Sequence, residues 1–191
     1  MRLPLHPHPD TPCPIVDSIS VDVVRAVPGR LMLTYGIAGR VDAIRWPVPA
    51  APVRTDGLWR HTCCEAFLRG DDGEGYLELN LSPSTAWAAW RFDSYRRGMR
   101  AAGDVAAPAI RILRDPGRVT LRATLTLGDV ATRSADAPLR LALSVVIETI
   151  DGRLSYWALA HPPGRPDFHH ADGFAAALPP GTAWTAEGVS R

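Results

Sequence analysis

The sequence contains no lysine, and all 21 of its basic residues are arginine. Arginine grips carboxylates and phosphates in a bidentate fork, but beside abundant Ala, Pro and Gly the bias reads as a codon preference rather than a functional choice, so it assigns no function. Excess charge is missing too: the formal net charge is +1 over 191 residues. Such a chain has no long-range field to draw in polyanions, and nucleic acid is not an expected partner. Long apolar runs are absent. The start, Met1-Arg2-Leu3-Pro4-Leu5-His6-Pro7-His8-Pro9, lacks the apolar core of a secretory leader, and no later stretch is long enough to span a bilayer as a helix. The expectation is a cytoplasmic protein with no membrane contact. Cysteine is scarce, with 3 in the chain. The count is odd, and Cys63 and Cys64 point to opposite faces if they lie in a strand, so free buried thiols are expected rather than a disulfide or a zinc site. There is no Gly-x-Ser-x-Gly elbow, no phosphate-cradling Gly-rich loop ending in Lys, and no His-Glu-x-x-His. No metal site is expected.

What the sequence has is alternation. Apolar residues make up 46% and charged residues 21%, the balance of an ordinary globular chain. Residues 1–17 are Pro-rich and aperiodic and read as an arm laid over the fold, with one domain over 18–191. From Ser18 onward, Ile19, Val21 and Val23 alternate with polar neighbours, and Leu31, Leu33, Tyr35 and Ile37 do so after Pro28-Gly29. The pattern recurs over Cys63–Arg69, Tyr76–Leu81, Ala86–Phe92, Ile110–Arg114, Val119–Leu127, Leu139–Ile150 and Arg153–Leu159, with turn residues such as Asp151-Gly152 between. No long 3.6-residue period and no βαβ unit appears. The predicted fold is all-β, a two-sheet antiparallel sandwich of immunoglobulin-like or jelly-roll-like type. Short helical turns at Asp56–Arg60 and Tyr95–Arg100 are the only helix expected.

The chemistry-bearing residues fall in three blocks. Thr55–Leu68 sets Trp59, Arg60 and His61 just before a strand and one carboxylate, Glu65, inside it. Glu65 shares parity with Cys63 and Phe67, so on a buried face it needs a partner or a shifted pKa. Trp87–Arg96 adds Trp87, Trp90, Arg91, Asp93, Tyr95 and Arg96, a run dense in groups that hold polar ligands, although a structural Glu–Arg pair is an equal reading of Glu65 and Arg91. Tyr156–His170 is a strand leading into a Pro-stiffened loop with Trp157, His161, Asp167, His169 and His170. Zinc-ligand spacing is not met, and a loop His held by backbone hydrogen bonds competes with a functional role for each. Six Trp against four Phe and four Tyr is unusual. Trp46 and Trp184 read as packing residues. Trp59, Trp87, Trp90 and Trp157 stand near polar motifs, where an indole face can stack on a sugar ring while carboxylate and guanidinium groups take its hydroxyls; filling the core is the commoner fate of any one of them.

The run Cys64-Glu65-Ala66-Phe67-Leu68 followed by Tyr76-Leu77-Glu78-Leu79-Asn80-Leu81-Ser82-Pro83 resembles the core motif of DOMON-like domains, a group that includes the family 9 carbohydrate-binding modules. Trp87-Ala88-Ala89-Trp90-Arg91-Phe92-Asp93 and the Trp157–His170 block extend the resemblance, over residues 18–178, to a bacterial branch of that group. It implies a β-sandwich that binds a small ligand, a sugar or haem, on one sheet. By position Trp59 and Trp157 would clamp a sugar while Glu65 and Arg91 bind its hydroxyls, with His61, Asp93, Asp167 and His169 as further members. Haem relatives use Met with His or Lys; this chain has no Lys, and Met99 and its His residues lie in segments that do not align to that pattern, so no cofactor is expected and haem binding stands as the second alternative. With no leader and no attached catalytic domain in view, a soluble sugar, a sugar nucleotide or a cell-wall precursor suits the chain better than an extracellular polysaccharide. The expectation is non-enzymatic binding; an enzyme using Glu65 with a nearby His or Asp on a sugar-like substrate is the alternative.

Overall fold

A computed structural model describes residues 1–27, 29–71, 73–127 and 138–180. Alternation builds most of its elements. In β9 (Arg118–Thr126), Val119, Leu121, Ala123 and Leu125 are buried while Arg118, Arg122 and Thr126 stay in solvent, as a strand with one wet face requires. Its partners are β3 (Arg30–Gly39) and β8 (Ala109–Asp115), and β3 pairs in turn with β2 (Val16–Val27). The other layer comprises β4 (Cys63–Gly70), β5 (Tyr76–Leu81), β6 (Trp87–Phe92), β7 (Arg100–Ala101), β10 (Leu139–Glu148), β11 (Leu154–Ala158) and β12 (Ala176–Leu178). Among the described residues these strands all pair antiparallel, and β1 (Arg2–Pro7) joins the layers: Arg2–Leu5 pair with β2, His6 and Pro7 with β11. The spatial order is β7-β6-β5-β4-β10-β11-β1-β2-β3-β9-β8, one sheet curled into a two-layer sandwich, with β12 beside β10.

The expected all-β sandwich is therefore the fold, and from β3 onward the predicted strands fall within two residues of those present. Strand β2 runs four residues past the alternation read through Val23, and the short β7 and β12 were not expected. Two local expectations change. The Pro-rich start is a paired strand rather than an arm, because Leu3 and Leu5 turn toward the core between prolines that masked their alternation. Residues 95–100 form no helix: Ser94 and Arg97 close a tight turn, Arg96 takes a left-handed φ of 53°, and β7 begins at Arg100. The turn before β4 is a single 3-10 turn, Leu58–Arg60. Trp46 packs against the core and donates its indole N–H to Val41 O at 2.8 Å. Trp184 lies outside the described residues. The three cysteines are buried and unbridged.

The core lies between the layers, with Ile19, Val21, Leu31, Leu33 and Ile37 from one side meeting Cys64, Ala66, Leu68, Leu77, Leu79 and Leu141 from the other. Tyr35 is wholly enclosed there and donates its hydroxyl to the Glu65 carbonyl at 2.7 Å. That bond crosses the core and fixes β4 from beneath. Removing it while keeping the ring isolates its worth, since a net protein hydrogen bond contributes about 1 kcal/mol. Tyr35→Phe is expected to lower unfolding free energy by about 1 kcal/mol, read from urea denaturation as a lower midpoint with an unchanged m-value.

Candidate ligand-binding site

Residues opposite one another in adjacent strands share a face of the sheet. Glu65 stands opposite Asn80 on β5 and Ser144 on β10, Glu78 opposite Phe67 and Trp90, Tyr76 opposite Phe92, and Val146 opposite Tyr156. This is the face turned away from the core. β5 is nonetheless buried along its whole length, because the outer face is roofed: Phe67, Tyr76, Phe92, Ala142 and Phe174 form a second apolar cluster with Trp90 and Phe168 against it. Beside that cluster opens a pocket of about 550 Å³. Trp59, Trp90, Phe92, Tyr156 and Phe168 supply its aromatic walls, and Glu65, Glu78, Arg96, Arg165 and His169 its polar groups, with Met99, Val146 and Pro166 completing the lining.

Both floor carboxyls are poorly solvated. Burial pushes Glu65 up to about 8, the nearby Glu78 adds to the rise, and the Ser144 hydroxyl, donating to Oε2 at 3.1 Å, partly offsets it. Glu65 is thus mainly a neutral acid at pH 7. Burial also raises Glu78, opposed by the Asn80 amide donating to Oε1 at 2.7 Å and by the charge of Arg96. Burial, then the Arg96 cation, holds His169 down to about 4 against the opposite pull of Asp167, so the ring is neutral. Its Nδ1 lies 2.8 Å from the Tyr76 hydroxyl, and that hydroxyl accepts the Arg96 backbone N–H at 3.2 Å. We assign the Tyr76 proton to Nδ1, which leaves Nε2–H turned toward Glu78 Oε2 at 3.9 Å. Arg96 is held by Asp167 at 2.8 Å, and Asp167 also accepts from the Tyr95 hydroxyl and the His169 backbone N–H.

Of the residues the sequence pointed to, Trp59, Glu65 and His169 line this pocket; Trp59 is 50% exposed at its mouth. Asp167 stands behind Arg96. The other four lie elsewhere. Trp157 pairs with Val145, whose neighbour on β4 is Cys64, so it faces the core and is 4% exposed; Tyr156, one residue earlier, is the aromatic that reaches the pocket. Arg91 likewise shares its face with Leu77 and forms an ion pair with Asp104 at 2.5 Å. Asp93 accepts from Arg100 at 2.6 Å on an exposed turn, and His61 Nδ1 meets Glu148 Oε2 at 2.7 Å. Trp59 and Trp157 therefore do not face one another across a cavity. Sequence reasoning passed over Glu78, whose alternation with Leu77 and Leu79 was the available signal; Arg165, Pro166 and Phe168 are brought in by the loop after β11 and carried none.

Comparison with solved structures finds five matching chains, including the following three. A proposed carbohydrate-binding protein from Bacteroides uniformis is 13% identical, with a TM-score of 0.61 over 91% of this chain and 83% of that one. A family 9 carbohydrate-binding module from Caldicellulosiruptor kristjanssonii in complex with glucose is 9% identical, TM-score 0.50, over 91% and 85%. Its complex with cellotriose gives 10%, 0.51, 90% and 82%. At these identities the likeness is one of fold. No family model and no curated protein matches the sequence.

Glu65 and His169 act on stability in opposite directions. Glu65, raised from 4.5 to about 8, contributes stability that is complete below 4.5 and lost as pH rises through 8. His169, lowered from 6.5 to about 4, contributes stability present above 6.5 and lost as pH falls through 4. The melting temperature should therefore vary least between 4.5 and 6.5, where these two oppose one another, and decline on either side, with the raised Glu78 adding to the loss as pH rises. In Glu65→Gln the decline between 6.5 and 8 should be largely removed while the acid-side loss remains, which calorimetric scans across pH will test.

Proposed function

We propose that this pocket binds a small carbohydrate-like ligand, with sugars, sugar nucleotides and cell-wall precursors as the classes to examine first. The observation that carries the reading is the pairing of Trp59, Trp90, Tyr156 and Phe168 around the cavity with Glu65, Glu78, Arg96 and His169 on its polar side. Aromatic faces stack on the C–H face of a sugar ring, and carboxyl, guanidinium and imidazole groups exchange hydrogen bonds with its hydroxyls. A cavity of about 550 Å³ lies within the range of small-molecule sites. The glucose and cellotriose complexes of the Caldicellulosiruptor module support the reading, and kinship with family 9 modules and DOMON-like domains is part of the same proposal. Haem suits the site less well. Met99 and His169 both line it, but the imidazole is engaged at Nδ1 by Tyr76 and turned toward Glu78 at Nε2, and two carboxyls occupy the floor.

Titration calorimetry with glucose, cellotriose and a sugar nucleotide will decide it. Saturation by at least one of them is expected, together with a rise in melting temperature, because a ligand that binds only the native state must stabilise it. Trp59→Ala should weaken binding by roughly 5- to 30-fold, the loss of about 1–2 kcal/mol of aromatic contact. Trp157→Phe and Arg91→Ala, changed on the opposite face, should leave the dissociation constant unaltered. Failure of all three ligands to bind, or a Trp157 variant that loses affinity as Trp59→Ala does, would overturn this site.

A further inference from the structure

Glu65 and Glu78 stand on adjacent strands at diagonal positions of one face, Glu65 opposite Asn80 and Glu78 opposite Phe67. Such diagonal neighbours lie about 7–8 Å apart at the backbone, close enough for two glutamate side chains to converge on a single ligand group. Both line the pocket floor although each is almost wholly withdrawn from water, Glu65 at 3% and Glu78 at 5% exposure. A floor needed only for hydrogen bonding is served by amides and hydroxyls, such as the adjoining Asn80 and Ser144. Two buried carboxyls side by side cost desolvation and mutual repulsion, the arrangement found where proton transfer is required.

Resting on the sugar-binding reading, we propose that Glu65 and Glu78 form an acid–base pair that interconverts the anomers of a free aldose. The ionised Glu78 carboxylate takes the proton of the anomeric hydroxyl as the Glu65 carboxylic acid gives its proton to the ring oxygen. The bond between C1 and the ring oxygen breaks, its electron pair passes to that oxygen, and the electrons released from the anomeric O–H form the carbonyl. After the aldehyde rotates about C1–C2, Glu78 returns its proton to the carbonyl oxygen and Glu65 recovers one from the C5 hydroxyl. The ring closes in the other configuration with both side chains as they began, so the cycle consumes no co-reactant.

The surroundings assign the two roles. Burial, then the neighbouring Glu78, keeps the proton on Glu65, with the Ser144 hydroxyl opposing. Burial, with a smaller push from the charge of Asp56, raises Glu78 as well, but the Asn80 amide and the Arg96 cation both oppose that rise, and the His169 Nε2 lies 3.9 Å from its Oε2. Tyr76 stands beside Glu78 on the same face of β5 and also binds His169, Asp167 holds Arg96, and the buried Cys63, beside Glu65 on the same face of β4, is kept a thiol by burial. Environments that separate two like groups in this way define an acid and a base.

The experiment follows freshly dissolved α-D-glucose by polarimetry, and anomer exchange at equilibrium by NMR, in the presence of the full chain. The expected first-order constant rises in proportion to protein and exceeds the buffer rate by roughly tenfold or more, within what general acid–base catalysis supplies. Glu65→Gln and Glu78→Gln should each remove at least roughly nine-tenths of that increment at saturating glucose. The native rate should fall above about pH 8, as Glu65 ionises; this profile decides the matter should either variant fail to fold by circular dichroism. Glucose that binds by calorimetry without acceleration overturns the acid–base role and leaves the binding site standing. Equal rates in the native protein and both variants overturn it as well, and glucose that does not bind at all overturns the acid–base role on glucose, whereas the binding site falls only if cellotriose and the sugar nucleotide fail to bind too.

Discussion

Strand β4 is paired on both sides along its length, against β10 from Cys63 to Gly70 and against β5 from Cys64 to Arg69. Those two ladders decide which chemistry the protein presents. Side chains alternate with a period of two, so a slip of one residue would send Glu65 into the apolar core and bring Cys64 and Ala66 to the pocket. The slip is resisted from below, where Leu68, Ala66 and Cys64 fill the space between the layers and the Tyr35 hydroxyl holds the Glu65 carbonyl from the opposite sheet. The position of the pocket acid is thus a consequence of core packing on the other side of the same strand. Core and site are the two faces of one register.

That register forces a cost, because the outer face of β4 and β5 is roofed as well as the inner one. A buried charge is far less stable than a solvated one, and apolar residues of similar volume would be the more stabilising occupants. The protein limits the penalty in two ways. Glu65 keeps its proton and accepts from Ser144, while Glu78 accepts from Asn80 and sits within the field of Arg96, itself tied to Asp167. His169 escapes the penalty by remaining neutral among Phe67, Tyr76 and Phe92. Asn80 Oδ1 stays buried without a hydrogen-bond partner. Polar groups kept at this expense, all on the pocket side of one sheet, are better explained by a ligand than by stability.

How far the sequence reveals this depends on which periodicity is involved. The period of two within a strand is local, so the strands, the Asp151-Gly152 turn with its φ of 83° at Gly152, and the parity of Glu65 with Cys63 and Phe67 were all legible. Which face of β6 or β11 joins Glu65 is not local, since it depends on how the connecting segments set one strand against the next. Trp157 and Tyr156 differ by one residue, as do Arg91 and Trp90, and in each pair the residue favoured from the sequence is the one turned to the core or to Asp104. The Leu3–Leu5 alternation in β1 was obscured by Pro4 and Pro7, which argue against a strand from propensity alone. The loop after β11 gave the right neighbourhood through Asp167 and His169, but nothing in its order of residues separates the one that faces the pocket from the one that stands behind Arg96.

That last distinction explains why the polar wall is already set before a ligand arrives. Arg96 holds a left-handed backbone, which costs a residue with a Cβ about 1–2 kcal/mol and persists only where its surroundings fix it. Here they do: its N–H is bound by Tyr76, its guanidinium by Asp167, and Asp167 in turn accepts the His169 N–H from the second loop. The two loops are therefore locked to one another and, through Tyr76 and His169, to the sheet beneath. Asp167 contributes by placing Arg96 and His169. Binding to such a wall requires little ordering of the protein, which spares affinity that a flexible site would lose. Trp59 is different, half exposed on a short turn with the Arg60 guanidinium 5.3 Å from its ring. The rigid side fixes which hydrogen bonds a ligand can make, and adjustment to its size falls to the indole at the mouth.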